Sequence, residues 1–407
     1  MQDWMALPAG LEPATSGLEN RCSIQLSYGS PLQFTALCVP RQAYPIAPEG
    51  AACYWFAVIW LRVLLLLLFP LLIGCSTAAY YSQAARGQCE LIWKRQPIDS
   101  LLADPAQPDK LKHRLRLVNE LREFATANLD LPAGDSYTHY VGLDRPMALW
   151  VINVAPEFSL KLKSWWYPFV GRFEGRGFFK KSAAEKLAKK LSGAGYDVVV
   201  SGAPAYSTLG WFADPVLSTF VNFNDAELAE LIFHELTHQR LYVSGDTTFN
   251  ESFATATARV ATLRWLNIRG DDEARDEYAA SLDRHDRITR KLRSTRTKLK
   301  ILYSELHKNA AAMRKDKARA INDLRADLEI LQNDPGFSGL QGWLRKPMNN
   351  ATLGSVAVYH KHVPAFLKLF ENCNQKFPDY FKAVEQLGKL PLSERQRALE
   401  ALCLSAP

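Results

Sequence analysis

Residues Leu228–Arg259 read LAELIFHELTHQRLYVSGDTTFNESFATATAR. The first half holds His234-Glu235-Leu236-Thr237-His238, an HExxH pattern. Leu228, Leu231, Ile232 and Leu241 recur at helical spacing, and Asn224 with Glu227 supplies an N-cap signal, so the spacing predicts a helix over 228–243. On it, His234 and His238 lie one turn apart on one face. Two imidazoles so spaced can share one zinc ion, and Glu235 beside them can act as general base toward a water.

A hydrolytic zinc ion usually has three protein ligands and one open position, so a third ligand is needed. Ser244-Gly245-Asp246 breaks the first helix, and Thr248-Phe249-Asn250-Glu251-Ser252-Phe253-Ala254 starts a second. An antiparallel return would bring Glu251 under the histidines. Thr248 and Glu251 also fit a capping box, in which Glu251 would only bond the Thr248 backbone.

HELTH followed by an NE-S-F-A segment resembles the glutamate zincins, whose third ligand is a glutamate on a later helix. Ala155–Ser159, the stretch 202–212 (GAPAYSTLGWF), the HELTH block and Ser355–His360 are further similar to a bacterial family of zinc aminopeptidase lipoproteins. The resemblance runs from about Cys75 to the C-terminal region. It implies an α+β, mainly helical fold: a zincin-like metallopeptidase core with a small mixed sheet, the HExxH helix and a long inserted helical hairpin. It also implies Zn2+ on His234, His238 and Glu251. In glutamate zincins a tyrosine or histidine C-terminal to the ligands stabilises the oxyanion, and Tyr359 and His360 have the right chemistry and order. An edge strand before the HExxH helix binds the substrate backbone there, and Gly202, Ala203 and Tyr206 occupy that place in the order. Tyr206 is an alternative oxyanion donor.

Outward from this centre, residues 55–75 read WFAVIWLRVLLLLLFPLLIGC. A basic flank, an apolar run and small Gly74 before Cys75 describe a signal peptide ending in a lipobox-like cysteine. The expectation is a lipid on Cys75, which tethers the chain to a membrane. Ser76 in place of Asp resembles the outer-membrane rather than the inner-membrane lipoprotein pattern, with the chain facing the periplasm. Residues 1–54 read as a leader, non-native or disordered, and 76–407 as one metallopeptidase domain. Of the seven cysteines, Cys89, Cys373 and Cys403 follow Cys75, and no CxxC occurs. The net charge of +7, from 49 basic and 42 acidic residues, gives no reason to invoke nucleic acid.

Helices are expected over 78–98, 98–101, 109–127 and 182–194, and strands over 137–141, 148–154 and 196–201. Trp165-Trp166-Tyr167 reads as core packing more readily than as a pocket wall. Residues 271–333 are charged and free of Pro and Gly, with apolar stripes at Leu282, Ile288, Leu292, Leu299, Leu302 and at Met313, Ile321, Leu324, Leu328. They predict a helical hairpin turning near 308–312. Its basic run Arg284–Lys300 reads as a solvated face before a binding surface. The expected activity is peptide hydrolysis, by an aminopeptidase first and by an endopeptidase with the same centre second. A non-catalytic envelope lipoprotein is the third reading. Glu157 is a candidate to hold a substrate amine.

Overall fold

The structure is a computed structural model that describes residues 75–167, 171–205, 213–305, 309–334, 336–337 and 340–404. The leader, the apolar segment up to Gly74, the side chain of Cys75 and the whole of Tyr206 lie outside the described residues. The chain divides into two compact units, one spanning Ser16–Ala85 and the other including Arg86–Pro407. The second holds the elements that matter below.

Helix α1 is Cys75–Trp93. It ends earlier than expected because Pro97 forces extended backbone before it, and β1 (Gln96–Pro97) pairs with β2 (His139–Val141). Between them run α2 (Ile98–Ala103) and α3 (Asp109–Leu129). Strand β3 (Leu149–Ala155) is followed by the short strands β4 (Trp165–Tyr167), β5 (Gly171–Phe173) and β6 (Arg176–Phe178). Then come α4 (Lys181–Gly193), β7 (Asp197–Ala203) and β8 (Val216–Leu217). Three small sheets result where one was expected: a mixed β1-β2-β8, an antiparallel β6-β3-β7, and β4-β5 alone. Contrary to the expectation of core packing, Trp166 on β4 is 64% exposed. Its two strands pair with neither of the other sheets.

The C-terminal half is helical: α5 (Asp225–Arg240), α6 (Thr247–Arg269), α7 (Asp272–Ser304), α8 (Ala310–Gln332), α9 (Leu340–Leu344), α10 (Asn350–His360), α11 (Val363–Asn372), α12 (Phe377–Lys389) and α13 (Leu392–Leu404). Helix α6 is buried nearly all round, as a helix at the centre of a fold must be. On one side Phe253 packs among Phe249, Phe366, Tyr380 and Phe381, with ring centroids 5.6–6.5 Å apart. Burying each ring contributes about 2 kcal/mol. Gly270 closes α6 in the left-handed conformation at φ 74.

Helices α7 and α8 form the expected hairpin, with Ile288, Leu292, Leu299 and Leu302 facing Met313, Leu324 and Leu328. Salt bridges fasten it to the sheet: Arg314 holds Glu157, and Lys317 holds Asp197 at the start of β7. Along β3, successive side chains alternate faces. Ala155, with Val199 of β7, packs against Ala351 and Val358 of α10, while Trp150 on the other face lies under Lys181 of α4. Among the described residues no helix is long and apolar enough to cross a membrane. Cys89, Cys373 and Cys403 are free thiols.

One buried ion pair joins the C-terminus to the centre. Arg395 of α13 donates Nε to Asp246 (3.0 Å) and Nη1 to the Gly388 carbonyl (2.9 Å), and stacks on Phe249 at 5.2 Å. Both side chains are nearly enclosed, at 7% and 11% exposure. Arg395→Ala strands a buried carboxylate and should lower unfolding free energy by about 3 kcal/mol, read as a lower urea midpoint. A midpoint within error of the parent would show that the pair holds nothing.

Candidate metal centre

The centre is built on α5. Asn224 caps it in a reciprocal box: its Oδ1 accepts the Glu227 N–H at 2.8 Å, and the Glu227 carboxylate accepts the Asn224 N–H at 3.3 Å. Three turns on, the rings of His234 and His238 stand nearly perpendicular with centroids 4.9 Å apart. Their Nε2 atoms are 3.2 Å apart. Glu251, from the second turn of α6, places Oε2 3.3 Å from His234 Nε2 and Oε1 3.6 Å from His238 Nε2. Transition-metal bonds of about 2.1 Å at tetrahedral angles separate donor atoms by roughly 3.4 Å. The three residues therefore form a set that could hold one metal ion.

Two features of α6 bring Glu251 there. The cap is made by Asp246, whose side chain accepts the Phe249 N–H at 3.1 Å, and not by Thr248 with Glu251. The capping-box alternative falls because the N-cap lies two residues earlier, at Asp246, and the helix starts at Thr247. Asn250 is wholly buried and clasps both backbone groups of Val243, donating Nδ2 to its C=O and accepting its N–H, each at 2.8 Å. The connector between the two helices is thus locked against the residue next to the ligand.

Burial sets the charges. It holds His238 well below the usual histidine range and lowers His234 as well, so both imidazoles are neutral with lone pairs to give. Burial pushes the Glu251 carboxyl up to about 8. Its ion-pair partners are these two neutral rings. A divalent cation would supply the missing positive charge.

Glu235 is half-buried beside the histidines, and its charge reaches the hydroxyl of Tyr137. Tyr137 was not singled out by sequence. It is 2% exposed and takes φ 61, a left-handed conformation unusual for a bulky residue. Its N–H donates to the Asp214 carbonyl at 2.6 Å. The adjacent Ser136 Oγ accepts from Gln239, one residue past His238, at 2.9 Å. This loop is thereby pinned to the metal helix. No local pattern around Asp135-Ser136-Tyr137 announces that contact.

Sequence also passed over Glu230, Arg259 and Tyr278. Glu230 precedes His234 by one turn and its pKa is raised by burial, with the Arg259 charge acting against the shift. Arg259 is buried and bonds Asp286 of α7 at 2.9 Å. His285 of α7 faces His360 of α10 with ring centroids 6.4 Å apart. Burial first, then Arg259, His285, Arg293 and His234, hold His360 well below the usual range, so it is a neutral imidazole within electrostatic reach of His234. Tyr359 instead packs toward the sheet with Leu162, Val199 and Val358.

The other candidates are more dispersed. His362 is buried, and its N–H donates to Ser252 Oγ next to Glu251, at 3.2 Å. Gly202 and Ala203 end β7, in register with Trp150 and Leu149 of β3. Among the described residues β7 has no strand on its other side. The Glu157 carboxylate is taken by Arg314 at 2.6 and 2.9 Å. It serves the hairpin instead of a substrate amine.

A family model described as "Putative aminopeptidase" matches residues 79–399, most of the chain and the whole of this centre. No curated protein matches the chain significantly. No solved structure does so either.

The electrostatics make a linkage prediction. The histidines are already neutral, so only Glu251 must shed a proton to become a ligand. Titration calorimetry in buffers of different ionisation enthalpy should show about one proton released per metal near neutral pH. A carboxyl raised in the folded state contributes stability that is present below its unfolded value and lost as pH rises through about 8. Metal-stripped protein should therefore melt lower as pH rises through that range, and Glu251→Gln should flatten the trend. Proton-neutral metal binding would contradict this.

Proposed function

The chain belongs to this aminopeptidase family, and from that premise we propose that it is a zinc-dependent peptidase removing N-terminal residues from peptides. The observation that carries the reading is the convergence of His234, His238 and Glu251, whose ligand atoms all lie within 4.8 Å of one another. Two imidazoles and a carboxylate are the donor set of catalytic zinc. An HExxH helix followed by a glutamate on the next helix supports a place among the glutamate zincins.

Bound there, zinc supplies an open coordination position in which a water becomes acidic and a carbonyl becomes polarised. Glu235 takes the proton of the attacking water on its carboxylate and delivers it to the leaving amine. His360 donates a ring N–H to the carbonyl oxygen as negative charge gathers there. Its neutral state and its reach to His234 support it over Tyr359 for this role. The outer edge of β7 at Gly202 and Ala203 offers backbone groups to an extended peptide, as edge strands do. Glu235→Gln should keep one zinc per chain and cut kcat by about a thousandfold or more, measured by metal analysis beside a peptide digest. His360→Ala should cost about a hundredfold in kcat, and Tyr359→Phe far less. Full activity in Glu235→Gln would remove this mechanism. Cleavage of N-acetylated peptides as fast as free ones would favour an endopeptidase on the same centre.

We also propose that the mature chain begins at a lipidated Cys75 and faces the periplasm from the bacterial cell envelope. The apolar run closing in Leu72-Ile73-Gly74-Cys75 supports this. Mass spectrometry of the mature N-terminus should find diacylglyceryl-modified Cys75. An unmodified peptide running across Gly74-Cys75 would overturn it.

A further inference from the structure

A peptidase that removes N-terminal residues must hold the free ammonium group of its substrate, and that takes an acid near the attacked carbonyl. Glu251 and Glu235 have their roles at the metal and the water. Glu157 is held by Arg314, Asp197 by Lys317 and Asp286 by Arg259. Glu230 is not taken in this way: among the described residues it forms no ion pair.

Glu230, His234 and His238 recur every four residues along α5 and so lie along one face of it. Exposure rises along that face, from 3% for the His238 side chain to 17% for His234. Glu230 is likewise only half-buried, so a ligand can reach it. Its field extends to the metal ligand: burial lowers His234, and the charges of Glu235 and then Glu230 oppose that shift. Toward α6 and α7 it has Arg259 and Tyr278 for neighbours. Burial raises the Glu230 carboxyl, with the Arg259 charge acting against the shift. Burial and then Glu230 push the Tyr278 hydroxyl well above its usual range. Arg259 already has Asp286 at 2.9 Å, so that cation is paired elsewhere.

The spacing suits an N-terminal amine. The α-nitrogen of a peptide lies about 2.5 Å from its own carbonyl carbon, and a hydrogen bond adds about 3 Å. An acid that holds the nitrogen therefore belongs about 5–6 Å from the attacked carbon, which is the length of one helical turn. Glu230 stands one turn from His234. We propose that Glu230 holds the free α-ammonium group of a peptide substrate and thereby fixes the cut after its first residue, an inference that rests on the peptidase reading above. An organic cation suits Glu230 better than a second metal ion. Among the described residues the three donors that could share an ion are His234, His238 and Glu251, and Glu230 is not one of them.

The test compares tetra-alanine with its N-acetylated form on the zinc-loaded full-length protein. The parent should prefer the free peptide about a hundredfold in kcat/KM. Glu230→Gln should lose most of that factor on the free peptide and leave the acetylated one unchanged, with zinc content and melting temperature as in the parent. Glu230→Asp, which keeps the charge, should retain a preference of about tenfold. Binding gives a second readout. In the zinc-loaded Glu235→Gln background, calorimetry should find that acetylation weakens tetra-alanine about a hundredfold, and that adding Glu230→Gln erases the difference. An undiminished free-amine preference in Glu230→Gln overturns the proposal and leaves the peptidase standing. Equal losses on both peptides with weaker zinc retention also overturn it, and make Glu230 a support of His234. A parent that cleaves the acetylated peptide as fast as the free one removes the anchor and keeps the zinc centre. Cleavage of neither peptide by the parent overturns the peptidase reading and this assignment with it.

Discussion

A carboxylate buried between two neutral imidazoles is the constraint around which this protein is arranged. Glu251 is 2% exposed, and its neighbours are the ring nitrogens of His234 and His238. Burying a charge without a partner costs several kcal/mol, so the carboxyl keeps its proton until a cation arrives. The surroundings hold that geometry. Asn250 locks the connector, Asp246 caps the helix, Arg395 secures Asp246, and an aromatic cluster fills the far side of α6. Each contact makes it harder for Glu251 to swing to solvent and escape its burial. The fold thereby stores a site that metal binding relieves, which is the sense in which metal affinity and folding energy are linked.

Much of this was legible in the sequence, for a physical reason. The metal helix was readable because cap, apolar stripe and ligand spacing all report the same period of 3.6 residues. The hairpin was readable because two long helices packed on each other must each carry a stripe, and Leu292 and Leu324 lie where the stripes placed them. Glu251 was ambiguous because one carboxylate four residues into a helix satisfies either a cap or a ligand. Only the position of Asp246 decides, and a two-residue difference in the N-cap lies within the ordinary uncertainty of boundaries.

What stayed hidden depends on contacts between residues far apart in the chain. Tyr137 meets the metal helix across about a hundred residues, and its left-handed backbone has no glycine or asparagine to announce it. Arg259 and Asp286 are 27 residues apart on separate helices, so neither charge pattern alone suggests the pair. The aromatic run at 165–167 misled because composition cannot tell a core ring from an exposed one; Trp165 and Trp166 have the same chemistry and different surroundings. Net charge is equally blind. Arg287 and Lys291 find Asp334 and Asp327 at the other arm of the hairpin, pairings that a count of charges along the sequence does not show.

The hairpin then has a place in the chemistry that its sequence did not suggest. Its outer arm reaches the sheet, where Lys317 joins Asp197 at the start of the edge strand. Its inner arm supplies Asp286 to Arg259 and sets His285 against His360. Glu230, one turn before His234, has its carboxyl raised by burial, with the charge of Arg259 acting against the shift. Removing the arm would therefore do more than expose apolar surface. It would leave Arg259 as a buried cation without its acid, and that cation stands close enough to depress the charge on His360. The packing of α7 against α6 and α10 half-buries that ring, and burial lowers its pKa. The hairpin belongs to the electrostatic wall of the centre, because the residues closing that wall come from it.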